Sequence, residues 1–171
     1  MFETPQTSIP RERTRELTLA DSFVDAWSNH VEPTLARGRR QILEVDSEVV
    51  GLISYEAAQI DVRRDHAGYH PLKCTIPTND PNGIWLTELR IPKGIRVGQV
   101  RSLLRIPRLA AMEQGLEWVG CRLLGGGWPE RASEARWRTD RDPTIWIFWR
   151  ESFVDVSEDG VLTMVWRNPA F

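Results

Sequence analysis

The side chain best suited to chemistry is Glu88, a carboxylate in the middle of the otherwise apolar run Ile84–Ile91. Partial burial raises the pKa of a carboxyl group, and a raised pKa suits a general base working near neutral pH. The alternative is structural, because strand residues alternate between two faces and Glu88 could pair with Arg90 or Arg122 on a solvated face. Both interpretations stay open, and each requires that this run forms a strand.

A turn rich in proline and glycine, Pro92–Gly98, follows the run. If a helix starts there, the turn places free backbone N–H groups beside Lys93 and Arg96, which is an arrangement that binds phosphate. The helix would also carry a basic stripe, which either grips a phosphate or an RNA backbone or is simply its solvated side. Arg101, Arg105 and Arg108 form this stripe.

Aromatic and imidazole side chains supply candidates for a substrate pocket. Trp128 and Trp137 flank a predicted loop and a short helix, where they would line an apolar pocket. Tyr69 and His70 lie in residues 66–82, which predict a long loop rich in proline. From this loop they are predicted to reach a substrate. A zinc site is not expected, since Gly68 and Pro71 interrupt the helix that would align its ligands. The candidate zinc ligands would be Asp65, His66, His70 and Cys74.

The elements that position Glu88 and the turn form one unit. The run 84–91 predicts a strand, the turn leads into a helix that ends at Gly115, and a second strand begins at Leu116. A strand–helix–strand unit normally builds a parallel sheet. Pro107 lies inside the helix and removes a backbone hydrogen bond, so we expect a kink there or a second helix starting at Pro107.

The N-terminal region predicts an arm and a helix. Residues 1–15 lack hydrophobic periodicity and are predicted to be a flexible arm ahead of a single domain over residues 16–171. Apolar residues from Leu17 to Val31 recur at helical spacing, which predicts an amphipathic helix. Thr18 and Asp21 are predicted to cap its start.

The remaining runs complete a mixed fold. Gln41–Asp46 and Glu48–Glu56 predict an antiparallel hairpin. Glu130–Arg138 predicts a short helix, and Thr144–Trp149 and Val161–Trp166 predict a final antiparallel pair of strands. The order therefore predicts an α/β (α+β) fold with a mixed, twisted central sheet and flanking helices.

Length and composition limit the functional classes. The 171 residues carry a net charge of -2 and are 41% hydrophobic, which is typical of a globular protein and argues against nucleic acid as a partner. No apolar stretch approaches the roughly 20 residues that a membrane-spanning helix needs. Nothing resembles a secretory signal, so we expect a cytoplasmic location, no membrane association, and free thiols at Cys74 and Cys121.

The order of elements resembles the GCN5-related N-acetyltransferase fold. At motif level, Glu44–Tyr55 is similar to the family's second and third strands, and Leu86–Gly115 resembles its fourth strand, pyrophosphate loop and following helix. The resemblance implies an acyl-CoA-dependent N-acyltransferase with acetyl-CoA or another acyl-CoA as cofactor. It also implies direct transfer to a small-molecule or peptide amine, with Glu88 accepting the proton and a backbone N–H of the fourth strand stabilising the oxyanion. The implied cofactor-binding residues are Leu89, Ile91, Lys93, Ile95, Arg96, Val97, Gly98, Gln99, Val100 and Arg101.

Two rival functions stay open. The loop Ile95–Val100 keeps only Gly98 of the family's glycine pattern, and no tyrosine follows Tyr69 to act as the general acid that the family often uses. These departures favour a catalytically degenerate binding or scaffold protein with the same fold. The third hypothesis is an RNA- or phosphate-binding module that uses the basic stripe and exposed tryptophans. A homodimer is left open.

Overall fold

A computed structural model of the protein describes residues 9–34, 38–62, 64–65, 68–69, 72–92, 97–124, 143–156 and 162–171. The described elements are, in chain order, β1 (Glu12–Glu16), a 3-10 helix (Leu19–Ala26), β2 (Arg39–Val45), β3 (Glu48–Asp61), β4 (Arg64–Asp65), β5 (Gly68–Tyr69), β6 (Lys73–Thr75), β7 (Gly83–Arg90), α1 (Val97–Gln114), β8 (Trp118–Arg122), α2 (Pro143–Arg150), β9 (Val154–Asp155) and β10 (Thr163–Arg167).

Eight of the strands form one mixed sheet. Its order is β1-β2-β3-β7-β8-β10-β9, with β6 pairing along the end of β3, while β4 and β5 pair separately. β7 and β8 are parallel, and the other described pairs are antiparallel. The predictions of a mixed central sheet, of the β2–β3 hairpin and of a parallel strand–helix–strand unit are therefore confirmed.

The two faces of the sheet carry different cover. On one face, which we call the helical face, Leu103 and Leu104 of α1 and Phe148 of α2 are fully buried in the main core. On the opposite face, Val24 of the 3-10 helix packs on β2 and β3. Residues 72–76 cover a second cluster at the far end of that face. The centre of the opposite face, between these two covers, carries the polar residues described below.

The predicted C-terminal strand pair is wrong. Thr144–Trp149 lies within the helix α2, and β10 pairs instead with β8 and β9. A short run without polar residues has no periodicity that separates a buried strand from a buried helix. α2 buries Ile147 and Phe148 against the core, which satisfies the same hydrophobic pattern. The predicted helix Glu130–Arg138 lies outside the described residues.

The N-terminal prediction is wrong in its boundary and in its type of helix. Residues 12–15, assigned to a flexible arm, form most of β1, which pairs with β2. The helix after it is a 3-10 helix and shorter than predicted. Its predicted cap is confirmed, because the backbone N–H and the hydroxyl of Thr18 donate to Asp21 Oδ2 over 2.7 and 2.8 Å.

The helix α1 runs through Pro107 without a break, so the alternative of a second helix starting there is wrong. The alternative of a kink at Pro107 stays a prediction. Gly115 ends the helix with a φ of 66°, as its position predicted, and the N–H of Leu116 donates to the carbonyl of Ala111 over 2.8 Å.

Candidate active site

The central feature is a gap between the parallel strands β7 and β8. The two strands pair only where Gly83–Trp85 lies opposite Trp118–Gly120. Immediately afterwards, the register of β7 against β3 shifts by one, and Thr87 is the extra residue. The Thr87 hydroxyl donates to Ser54 Oγ over 2.8 Å in a buried contact. Such a bulge bends its strand, and bulges are frequent next to active sites.

A third piece of chain lies between the separated strands. Asn29 forms an antiparallel bridge with Arg90 at the end of β7, and Val31 forms another with Leu123, which follows β8. Because neighbouring strands lie about 4.8 Å apart, a chain between β7 and β8 places these two strands about 9–10 Å from one another. We call residues Asn29–Glu32 the inserted segment.

The inserted segment satisfies the backbone of β7 at Leu89. The N–H of Leu89 donates to Asn29 Oδ1 over 2.9 Å, and the carbonyl of Leu89 accepts the N–H of His30 over 2.8 Å. The same Asn29 oxygen also accepts the N–H of Val31 over 3.2 Å. An amide carbonyl therefore already occupies one backbone N–H of the strand to which the resemblance assigns the oxyanion.

Backbone hydrogen bonds and the Glu32–Arg122 ion pair join the segment to β8 and to the residues after it. Glu32 N–H donates to the carbonyl of Arg122 over 2.7 Å, and Leu124 N–H donates to the carbonyl of His30 over 2.9 Å. The side chain of Val31 is fully buried in the main core, whereas the other three side chains of the segment are half-buried or exposed. The segment is thus held by contacts that include one buried apolar side chain, the Asn29 side chain, a few backbone hydrogen bonds and the Glu32–Arg122 ion pair.

Glu88 is buried on the opposite face, with 7% of its surface exposed, and two guanidinium groups hold it. Arg40 Nε lies 2.9 Å from Glu88 Oε1, and Arg90 Nε donates to Oε2 over 2.9 Å. Arg40 also donates to Asp25, and Arg90 donates to the carbonyl of Trp27. Burial alone would lower the pKa of Arg40, but the hydrogen bond to Asp25 and the charge of Glu88 outweigh it and raise that pKa. The predicted pairing of Glu88 with Arg90 is therefore confirmed, but the predicted solvated face is wrong because Glu88 is buried, and the role of Glu88 as a base stays a prediction.

The predicted cofactor residues divide between core and helix start. Leu89, Ile91 and Val100 have side chains buried in the main core, so only their backbone can face a ligand. Gly98 lies in the first turn of α1, and a Cβ there would meet no atom within 4 Å. The Arg101 side chain forms an ion pair with Glu151, with Nε and Oε1 2.5 Å apart. Val97 and Gln99 belong to the first turn of α1, and Lys93, Ile95 and Arg96 lie outside the described residues.

A cavity of about 380 Å³ lies on the opposite face beside the inserted segment. Trp85 of β7 forms part of its wall, and Glu32 faces Arg122 there at 3.6 Å between Oε2 and Nη1. Cys74 also lines it as a free thiol, and burial raises the pKa of this thiol to about 11. The cavity combines an apolar wall with charged groups at the level of the gap. The predicted substrate residues Trp128, Trp137 and His70 lie outside the described residues, and Tyr69 lies in β5.

Sequence reasoning missed the inserted segment and the bulge. The pair Thr87-Glu88 places two polar residues in succession within an apolar strand, which breaks the period of two and is a readable sign of a bulge. Nothing comparable marks Asn29, whose partner Leu89 is 60 residues away.

The described residues also bear on a metal site and on a membrane-spanning helix. Among the residues that the structure describes, no three His, Cys, Asp or Glu side chains converge as metal ligands. None of the helices in the described ranges is both long and apolar enough to cross a bilayer.

Comparison with known proteins gives the fold. No protein-family model matches the sequence, and no curated protein matches it significantly. Among solved structures, the GNAT domain of S. lividans PAT is similar with a TM-score of 0.56 and 15% identity, over 96% of this chain and 99% of that one. A candidate phosphinothricin N-acetyltransferase is similar with a TM-score of 0.51 and 12% identity, over 92% of this chain and 98% of that one. The predicted resemblance is confirmed at the level of structure: the chain has the fold of the GCN5-related N-acetyltransferases, in a form divergent in sequence.

Proposed function

We propose that this protein is an acyl-CoA-dependent N-acyltransferase, with acetyl-CoA or another acyl-CoA as donor and a small-molecule or peptide amine as acceptor. The observation that carries the proposal is the bulge at Thr87, where β7 leaves β8 and turns the N–H and carbonyl of Leu89 into the gap. Of the two similar structures described above, one is named as an N-acetyltransferase and the other as a GNAT domain, which supports the same reading.

The edge of β7 fits the chemistry of the cofactor's arm. A pantetheine arm is a narrow chain with amide groups that ends in a thioester carbonyl. Leu89 already binds one carbonyl oxygen through its N–H and one amide N–H through its carbonyl, both from the inserted segment. Asn29 and His30 thus stand in for the two kinds of group that the arm would present, so the residues fit the arm once the segment has left.

When bound, the cofactor supplies an acyl group activated as a thioester. In the proposal, the N–H of Leu89 holds the acyl oxygen and favours the negative charge that develops there. The first turn of α1, around Gly98, directs backbone N–H groups towards an anion. Glu88 accepts the proton that the amine loses as its nitrogen bonds to the acyl carbon, directly or through a water, after the amine has displaced Arg40 or Arg90 from one carboxylate oxygen. The bond between the acyl carbon and the sulfur would break, and the coenzyme A thiolate would leave and take its proton from solvent.

The cavity beside Trp85 lies on the side of the sheet away from α1, where an acceptor can approach the gap without crossing the cofactor's path. Its apolar wall and its charged pair favour an acceptor that has both an apolar part and a charge. We place this reaction in the cytoplasm, where reducing conditions keep Cys74 and Cys121 as free thiols.

The second candidate is a protein with this fold that does not transfer acyl groups. A specific observation favours it: Val31 is fully buried in the main core, and the inserted segment fills the gap. If the segment never leaves, no arm can enter, and the fold serves binding or scaffolding instead.

Calorimetric titration with acetyl-CoA separates the two candidates. Binding at micromolar concentration, together with release of free coenzyme A thiol when a panel of amines is added, is the expected result. Adenosine 3′,5′-bisphosphate is the control, because it carries the nucleotide and two of the three phosphates without the arm and should bind more weakly. Absence of binding up to millimolar acetyl-CoA would leave the second candidate.

A further inference from the structure

We infer that the inserted segment is a reversible internal competitor of the acyl donor, and that Asn29 occupies the position of the acyl carbonyl in the closed protein. The inference rests on the proposed function. It adds that acyl-CoA enters only when residues 29–32 leave the gap, so that the resting protein is closed by its own chain.

The competition follows from the hydrogen bonds of Leu89. Its N–H lies 2.9 Å from the carbonyl oxygen of the Asn29 side chain, and its carbonyl accepts the N–H of His30. A buried N–H satisfies one acceptor well, so an acyl carbonyl and Asn29 cannot both use it. Asn29 is also one of the few residue types whose side chain ends in a planar amide carbonyl, the closest chemical match to an acyl group.

The way in which the segment is held makes its departure feasible. It pairs with β7 and with the end of β8 through two isolated bridges of one residue each, whereas β2 and β3 are paired over seven, and its ion pair to β8, Glu32–Arg122, is nearly half exposed. Val31 is its only buried side chain. Elements held by few buried contacts open locally at a smaller cost than the whole fold.

The segment also occupies the gap from the end at which the arm would enter. Asn29 lies against Arg90, the last residue of β7, and the chain runs from there inward to Val31 and Glu32. The loop from 93 to 96, which the resemblance assigns to the pyrophosphate, follows that same end of β7. Arm and segment would therefore lie in the same channel, and binding of one excludes the other.

The test compares acetyl-CoA affinity among three variants by calorimetry. Asn29→Ala removes both hydrogen bonds to the Asn29 oxygen, weakens the closed state, and should lower the Kd at least about tenfold. Asn29→Asp keeps an oxygen acceptor for Leu89 and should bind like the parent protein or more weakly. Asn82→Ala is the matched control, since Asn82 Oδ1 likewise accepts a backbone N–H, that of Ile60 over 2.7 Å, but at the far end of β7.

The outcomes separate this inference from the proposed function. Equal affinities in the parent protein and Asn29→Ala would overturn the inference and leave the proposed function intact. Absence of binding in every variant would overturn both.

Hydrogen exchange on the parent protein provides a readout that needs no variant. Saturating acetyl-CoA should speed exchange of the Leu124 amide, which loses its acceptor on His30, while the Leu89 amide stays protected by the acyl oxygen. If the Leu124 amide exchanges at the same rate with and without bound acetyl-CoA, the segment has not moved and the inference is wrong.

Discussion

Among the described residues, three carboxylates that are about a tenth exposed each lie between two arginines, and Glu88 and Glu151 are two of them, the third being Glu44 beside Arg13 and Arg15. Glu88 lies between Arg40 and Arg90 beside the gap, and Glu151 lies between two arginines of α1 on the helical face. Their side chains have the same exposed fraction, 10%. Removing one partner from a buried ion pair leaves an uncompensated charge, so both carboxylates stabilise the fold in the same way. Only Glu88 has a candidate role in chemistry, which makes Glu151 its natural control.

The first prediction concerns Glu88→Gln in the proposed acyl transfer. Because glutamine cannot accept a proton, kcat should fall by about 10²-fold or more. Glu151→Gln should lower the melting temperature to a similar extent but change kcat by less than about twofold. Steady-state kinetics and thermal unfolding of both variants measure this. An equal fall of kcat in the two variants would show that Glu88 acts through stability alone.

At the scale of elements, one charge network joins the start of the chain to the sheet. Arg15 of β1 donates to both oxygens of Asp21 in the 3-10 helix, over 2.6 and 2.7 Å, and to Glu44 of β2 over 2.6 Å. The hydrogen bonds from Arg15 hold the pKa of Asp21 well below its usual range. The same guanidinium lowers the pKa of Glu44. Ionised carboxylates thus tie three elements together, in addition to the packing of Val24 on Ile42.

The second prediction follows from the direction of the Asp21 shift. An unfolded Asp has a pKa of about 3.9, and the folded pKa lies below it, so the ionised group stabilises the fold above pH 5. This stabilisation is lost as pH falls through the unfolded value towards the folded one. Asp21→Asn should therefore cost about 1–3 kcal/mol at pH 7 and much less at pH 2–3.

Urea unfolding of Asp21→Asn and the parent protein at several pH values measures this difference. Asp80→Asn is the control, since Asp80 is exposed and its substitution should have little effect at any pH. A difference between Asp21→Asn and the parent that is the same at pH 7 and pH 2–3 would contradict the assigned cause.

The third prediction concerns the contact between α1 and β3. A Cβ on Gly51 would lie 2.4 Å from Cδ1 of Leu103, whose side chain is fully buried in the main core. Gly51→Ala should therefore push α1 away and cost about 1–3 kcal/mol of unfolding free energy. Gly98→Ala lies in α1, the helix that carries Leu103, and its new Cβ would meet no atom within 4 Å. This substitution should therefore be neutral or stabilise the fold by up to about 1 kcal/mol. Denaturant unfolding followed by circular dichroism compares them, and equal losses would refute the packing argument.

The sequence predicts those elements whose signals are local. The β2–β3 hairpin turns at Asp46 and Ser47, which have φ values of 51° and 69°, and Gly115 ends α1 where a helix stop was expected. The sequence does not predict the strand β1, because its residues are mostly charged and exposed. Its Arg15 pairs with Glu44, which lies 29 residues away in the sequence. The helix α2 was mistaken for a strand because an apolar run fits both.

The sequence predicts Glu88 and the turn after it as parts of the site, but not the inserted segment. Glu88 and the turn after it stand out because a carboxylate in an apolar strand and a glycine turn are local patterns. The inserted segment does not stand out, because Asn29 becomes a ligand of Leu89 only through the three-dimensional fold. Residues that fill a gap between distant strands carry no periodicity, and a single sequence offers no other signal for them.

At the scale of the molecule, the gap divides the sheet into two halves. One half consists of β1, β2, β3 and β7, and the other of β8, β10 and β9, with three residue pairs between β7 and β8. The inserted segment bridges the halves where those pairs end. Three backbone hydrogen bonds and the one from Leu89 N–H to the Asn29 side chain, at about 1 kcal/mol each, hold it together with one buried valine at about 2 kcal/mol and the half-exposed Glu32–Arg122 ion pair, before the entropy of ordering is subtracted. A ligand with micromolar affinity gains about 8 kcal/mol, which is of the same order.

The last prediction therefore links stability to ligand response through Val31. Val31→Ala should lower the unfolding free energy by about 1–3 kcal/mol, because it leaves a cavity in the main core. It should also enlarge the rise in melting temperature that acetyl-CoA produces, since the ligand displaces a more weakly held segment. Val24→Ala is the matched control: Val24 is equally buried, but it belongs to the 3-10 helix and packs on the opposite face of the sheet. It should cost similar stability and leave the ligand-induced shift unchanged. If both variants respond to acetyl-CoA as the parent does, the segment bridges the two halves permanently, and the gap between β7 and β8 is a feature of the fold rather than a place for a ligand.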